Sequence, residues 1–185
     1  METPSLNQRI SECGKEFARA AVREYTSGTS LHPVTLIAAC ARMAGAQFLR
    51  STGLITPDMQ PGSVLISPEA NAGTTLLLRT CAAVLASLGH QLPTHPPASL
   101  ADDFQHVRED FLQSHKRLAP VVERLRLEYN LDDSQMARSG AIATALAIHS
   151  VRTKVPADRA FGIASFALTE GAKTVPLEID GSDAL

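Results

Sequence analysis

The residues whose types and spacing come nearest to a chemical site are Asp102, Asp103, His106, Glu109 and Asp110. They crowd the start of a segment in which Leu100, Phe104, Val107, Phe111 and Leu118 recur at helical spacing. On a helix, Asp103 and His106 have the i, i+3 relation by which bundles present a carboxylate and an imidazole to a metal ion, with Glu109 as a further ligand. A metal-dependent helical enzyme using Asp103, His106 and Glu109 is therefore one reading of the chain. Two observations count against it. The sequence holds no second carboxylate-x-x-His pair to close the site from a facing helix. His106 also falls about 120° from the middle of the apolar stripe. A solvated helix face accounts for the same residues and is preferred, so no cofactor is expected.

A second candidate is Arg42, which stands in the stretch Pro33 to Ser51, apolar on almost every side. A guanidinium in such surroundings needs a carboxylate, a carbonyl or a ligand anion. An internal ion pair is the preferred reading; the alternative is a small-ligand sensor in which Arg42 holds a carboxylate between helices. His90 and His95 lie five apart in the proline-rich connector HQLPTHPPAS, without a further ligand at metal spacing. His149 shares a helix side with Arg138 and Arg152 near a C-terminus, where a cation is favoured. The sequence shows no Gly-rich phosphate loop, no G-x-S-x-G elbow, no H-E-x-x-H and no nucleophilic Cys/His pair.

Composition bounds what must position these residues. The chain has 185 residues, 44% of them hydrophobic, with no Trp, six Phe and two Tyr. Ala, Leu, Val and Ile must therefore fill the core, which suits close-packed helices better than a sheet. A formal net charge of −2 offers no basic excess for a phosphate backbone, so nucleic acid is not expected as a partner. The opening METPSLNQRISECGKEF lacks the basic and apolar regions of a secretory signal, so a cytoplasmic location is expected. Cys13, Cys40 and Cys81 are odd in number and widely spaced, as reduced thiols acting as small hydrophobes would be. The longest apolar run, Ser139 to Val151, is well short of the roughly 20 residues of a membrane span.

Helical signals cover most of the chain. Leu6 to Thr26 reads as an amphipathic helix, and Ser27 to Ser30 break it before Pro33 opens the next. Gly53 to Ser67 reads as a loop whose Val64, Leu65 and Ile66 dock on the body. Ser67 caps a helix with Pro68 at its first position and Gly89 beyond its end, its face made by Leu76, Leu77, Thr80, Val84 and Leu88 and widened by Leu78, Cys81 and Leu85. Ser99, with Asp102, caps the longest helix, which continues through Pro120 to about Asn130 with a kink. Asp132 and Gln135 form a capping box for the last pair of helices.

Small residues line one side of each of those two helices: Ser139, Gly140, Ala143, Ala147 and Ser150, then Ala160, Ala164, Ala167 and Gly171. Small side chains permit close backbone approach, to each other or to other helices. The expected fold is all-α, an orthogonal or bundle-like packing of five to six helices with this C-terminal hairpin at the centre. One domain spans 1–175, and 176–185 is a tail. The expected function is that of a cytoplasmic binding or scaffolding protein. It is expected to be homodimeric, because the apolar arcs are too wide for one small core, with Ile163 and Phe166 at the interface.

Overall fold

The computed structural model describes residues 4–27, 30–92 and 104–178. Among them are six helices: α1 Leu6–Glu24, α2 Pro33–Ser51, α3 Pro68–Ser87, α4 Phe111–Glu128, α5 Asp133–Ser150 and α6 Ala157–Lys173. They pack on one another as a bundle, and the sole strand pairing among the described residues is a two-residue antiparallel ribbon, Thr26–Ser27 with Ser30–Leu31. No described helix is long and apolar enough to cross a membrane.

Local chemistry sets the helix ends. Ser5 with Gln8, Asp110 with Gln113, and Asp132 with Gln135 form capping boxes that satisfy otherwise unpaired N–H groups at the starts of α1, α4 and α5. Ser67 Oγ accepts from the Ala70 N–H, with Pro68 at the first helical position of α3. Gly89 at φ +85° lies beyond α3, and Asn130 at φ 48° follows α4. Arg9 Nη1 donates to the Tyr129 and Asn130 carbonyl oxygens, tying α1 to the C-terminal end of α4.

The centre of the molecule is α2. Every residue from Thr35 to Gln47 is buried, and the helix packs most extensively against α6 and then α5. A Cβ on Gly45 would overlap the Leu168 carbonyl oxygen of α6, and one on Gly171 would overlap the Arg42 carbonyl oxygen of α2. A Cβ on Gly140 of α5 would meet Ala44 at 2.8 Å, a less severe approach. The small-residue stripes of the C-terminal hairpin therefore grip α2 from two sides, and α5 and α6 touch one another only lightly. The hairpin flanks the centre rather than forming it.

Three other expectations are revised. The long helix does not run from Ser99. Its start at Ser99 and Asp102 lies outside the described residues, Val107 to Asp110 form a connection, and α4 begins at Phe111 with Asp110 as its cap. From there the helix does continue through Pro120. The buried side of α3 is Ala70, Gly73, Thr74, Leu77, Cys81 and Leu85, rotated from the expected face, so Leu76 is exposed. Gly73 explains the rotation, since the Phe48 ring occupies the space a side chain there would need. The loop before α3 docks by its backbone: Gly62 N–H donates to the Val175 carbonyl (2.8 Å) and Leu65 N–H to the Lys173 carbonyl (2.7 Å). Val64 and Ile66 themselves point outward. Pro176 is buried and the Leu177 carbonyl accepts from Arg50 Nη2, so the start of the tail is docked.

The glycine contacts generate a test with a sign. In a helix interior Ala is favoured over Gly by about 1 kcal/mol. Gly45→Ala and Gly171→Ala should nonetheless lose about 1–3 kcal/mol in urea denaturation, because the backbones must separate. A stabilised variant at either position contradicts the close approach.

Candidate functional site

Arg42 lies at the heart of a polar cluster on α2 and is 2% exposed. Its Nε donates to Glu170 Oε2 of α6 at 2.7 Å, and its Nη1 donates to the Glu109 carbonyl at 2.6 Å and to Ser114 Oγ of α4 at 3.1 Å. The Phe104 ring covers the guanidinium, 5.4 Å from Cζ to ring centroid. The counter-charge is thus a carboxylate of the chain itself, as the internal ion-pair reading holds. The cation binds α2, α4, α6 and the connector together.

The residues of the acidic segment separate. Asp103 lies outside the described residues. Glu109 turns inward, where Oε2 accepts from the Tyr25 hydroxyl at 2.6 Å and Oε1 pairs with Arg117 at 2.7 Å. Arg117 also lies over the Tyr25 ring. Burial, then the Glu109 carboxylate, raises the Tyr25 hydroxyl above the usual phenol range, keeping it a donor. His106 is exposed. Among the described residues no three His, Cys, Asp or Glu side chains gather around a common point.

Ile163 is 1% exposed within the single chain, so it has no surface to give a partner. It faces the core because α6 lies against α2 along a broad face. Phe166 is half-exposed, and its ring stands 4.3 Å from that of Phe104. The wide apolar arc of α2 is enclosed by other helices of the same chain, while on α3 Leu76 stays exposed.

Other reactive groups are buried or mutually engaged. Cys13, Cys40 and Cys81 are free and buried, and burial pushes their thiols up to about 11, 12 and 12. Such thiols are poor nucleophiles. His90 Nε2 lies 2.9 Å from His149 Nδ1, one ring donating to the other. Partial burial, then Arg152 and His90, lowers the proton affinity of His149, so it is not the cation that its place at a helix end suggests. His115 on α4 is 1% exposed, and neither of its ring nitrogens has a protein partner; the same holds for both amide atoms of Gln47.

Two of the concave surfaces among the described residues are lined by several basic side chains. A groove of about 560 Å³ runs between α1 and α5, with Ala18, Val22, Leu146 and Ala147 as its floor and Lys15, Arg19 and Arg23 along one edge. A smaller cavity of about 280 Å³ lies where the starts of α2 and α6 meet, and His32, His106, Lys154 and Arg159 line it. The sequence reading missed both. The i, i+4, i+8 spacing of Lys15, Arg19 and Arg23 was the one visible signal of the first. Comparison with protein families, with curated proteins and with solved structures finds no match to this chain.

The cluster around Arg42 gives one expected outcome and His115 another. Arg42→Met should cost about 3 kcal/mol in chemical denaturation, because it strips Glu170 and the Glu109 carbonyl of their donor. Glu170→Gln, which keeps an acceptor, should cost less. Burial first, then Arg50, pushes His115 from 6.5 down to about 4. The unfolded chain therefore takes up this proton below about pH 6.5 while the folded chain does not until about pH 4, so stability falls as pH drops through that window. The contribution is on the order of 3 kcal/mol and is flat outside the window. His115→Phe should remove it, as read from urea midpoints at pH 7.5 and pH 5.

Proposed function

We propose that the protein is a binding or scaffolding protein of the cytoplasm, and that its α1–α5 groove takes an acidic amphipathic helix from a partner protein. The groove itself carries this reading. Its floor is almost wholly apolar, and three cations one turn apart stand on its α1 edge. A helix lying there would bury apolar side chains on Val22 and Leu146 and set carboxylates against Lys15, Arg19 and Arg23. Lys15 and Arg19 are paired with Glu12 and Glu16 along α1, but these pairs are solvent-exposed and exchange for a partner's carboxylates at little cost. A second copy of the chain is the competing occupant. The groove lining contains no carboxylate, so groove-to-groove pairing of two copies has no charge complement.

Fluorescence anisotropy with designed amphipathic helical peptides tests the reading. Peptides with a Glu-rich edge should bind with micromolar affinity, and matched peptides with a Lys-rich edge should not. Arg19→Glu with Arg23→Glu should reverse that preference, and Leu146→Glu should abolish binding of the acidic peptide. Equal affinity for both peptides, or a preference that survives charge reversal, would overturn the proposal. Sedimentation of the protein alone reports the other occupant, since a dimer lost in Leu146→Glu would assign the groove to a second copy.

A further inference from the structure

The cavity at the starts of α2 and α6 is distinct from the groove and from the Arg42 cluster. Its polar wall is made of groups that are cationic or donate hydrogen bonds: His32 from the residue before α2, His106 from the connector and Lys154 from the turn before α6. Arg159 lines the same wall and is engaged within the chain. Among the described residues no carboxylate belongs to the lining; Asp158, in the first turn of α6, lies outside it.

His32 is held in place rather than free to turn. The Thr35 hydroxyl lies 2.8 Å from His32 Nδ1 and accepts the Arg108 N–H at 3.1 Å; in the tautomer in which it donates its own proton to the ring, Nδ1 is the acceptor. That leaves the protonated Nε2 of the neutral imidazole as a donor. Partial burial, then the nearby Arg108 and His106, lowers the proton affinity of His32, which accords with a positive local field. The N-caps of the two helices that open on this wall, His32 and Pro156, make no side-chain capping bond, whereas Ser5, Ser67, Asp110 and Asp132 cap the other four. Their partial positive ends add to the same field. Pro33, Val34 and Pro156 supply an apolar side to the cavity.

We infer that this cavity binds a small phosphorylated molecule, its phosphoryl oxygens held by His32, His106 and Lys154 and its organic part resting against Val34 and Pro156. At about 280 Å³ the cavity lies just below the range of about 300–1,000 Å³ that drug-sized molecules occupy, which suits a smaller ligand. A multiply charged oxyanion uses several donors at once and needs no acceptor from the wall, which is the chemistry these residues offer.

Thermal unfolding of the full chain decides the matter, with sodium phosphate compared with sodium chloride at equal ionic strength and phenyl phosphate as a second probe. A saturable rise in Tm with phosphate is expected, as for any ligand that binds only the folded state, and it should saturate at lower concentration with phenyl phosphate. His106 and Lys154 are exposed, so His106→Ala and Lys154→Ala should keep the fold by circular dichroism. Each should weaken apparent phosphate affinity at least fivefold, and the double variant should show the chloride Tm. Arg19→Ala with Arg23→Ala in the groove should leave the phosphate response unchanged. The inference is overturned if phosphate and chloride give the same Tm, if the response survives the double variant, or if the groove variant abolishes it.

Discussion

The structure depends on how closely the backbone of α2 approaches that of α6. Gly45 meets the Leu168 carbonyl oxygen, and Gly171 meets the carbonyl of Arg42. That contact places Glu170, the neighbour of Gly171, where it can take the Arg42 guanidinium. One geometric fact thus serves both packing and charge. Without the glycines the helices would separate, and a cation that is 2% exposed would lose its counter-ion. Alanines spread the same logic along α2, where six of the side chains between Thr35 and Leu49 that lie in the core are Ala or Cys. A core of this kind loses little rotamer entropy on folding, because Ala has none to lose.

How much of this could be read from the sequence depends on whether the signal was local. The bounds of α2, the Ser67–Pro68 start of α3 and the Asp132–Gln135 capping box are local chemistry, and each stands in the structure where the residues indicate. The start of α4 was equally local: Asp110 and Gln113 spell a capping box, but the apolar spacing of Phe104 and Val107 suggested that the helix was already running. Which side of α3 is buried was not local. Leu76 and Leu77 are equally apolar, and only the Phe48 ring against Gly73, on another helix, chooses between them.

The same division holds for the polar residues. That Arg42 needed a partner followed from its neighbours on α2, but the partner lies 128 residues away. Ile163 and Phe166 look alike in the pattern of α6, yet one is buried and the other half-exposed, a distinction made by the helices on either side. His32 and Lys154 belong to the same cavity only because two helix starts converge, so neither stands out in the linear sequence.

The central place of α2 has a further consequence during synthesis. This helix is completed at Ser51, but the elements that cover it most, α5 and α6, end at Ser150 and Lys173. Roughly 120 residues must be added before its last cover exists, which at ribosomal rates takes on the order of ten seconds. Until then the most deeply buried of the described helices, with the Arg42 charge on it, has α1 and the later-made α3 and α4 for shelter but not its two main covers. The nascent protein therefore depends on chaperone cover, or on provisional contacts between α1 and α2, until the ribosome has delivered the carboxylate that completes the core.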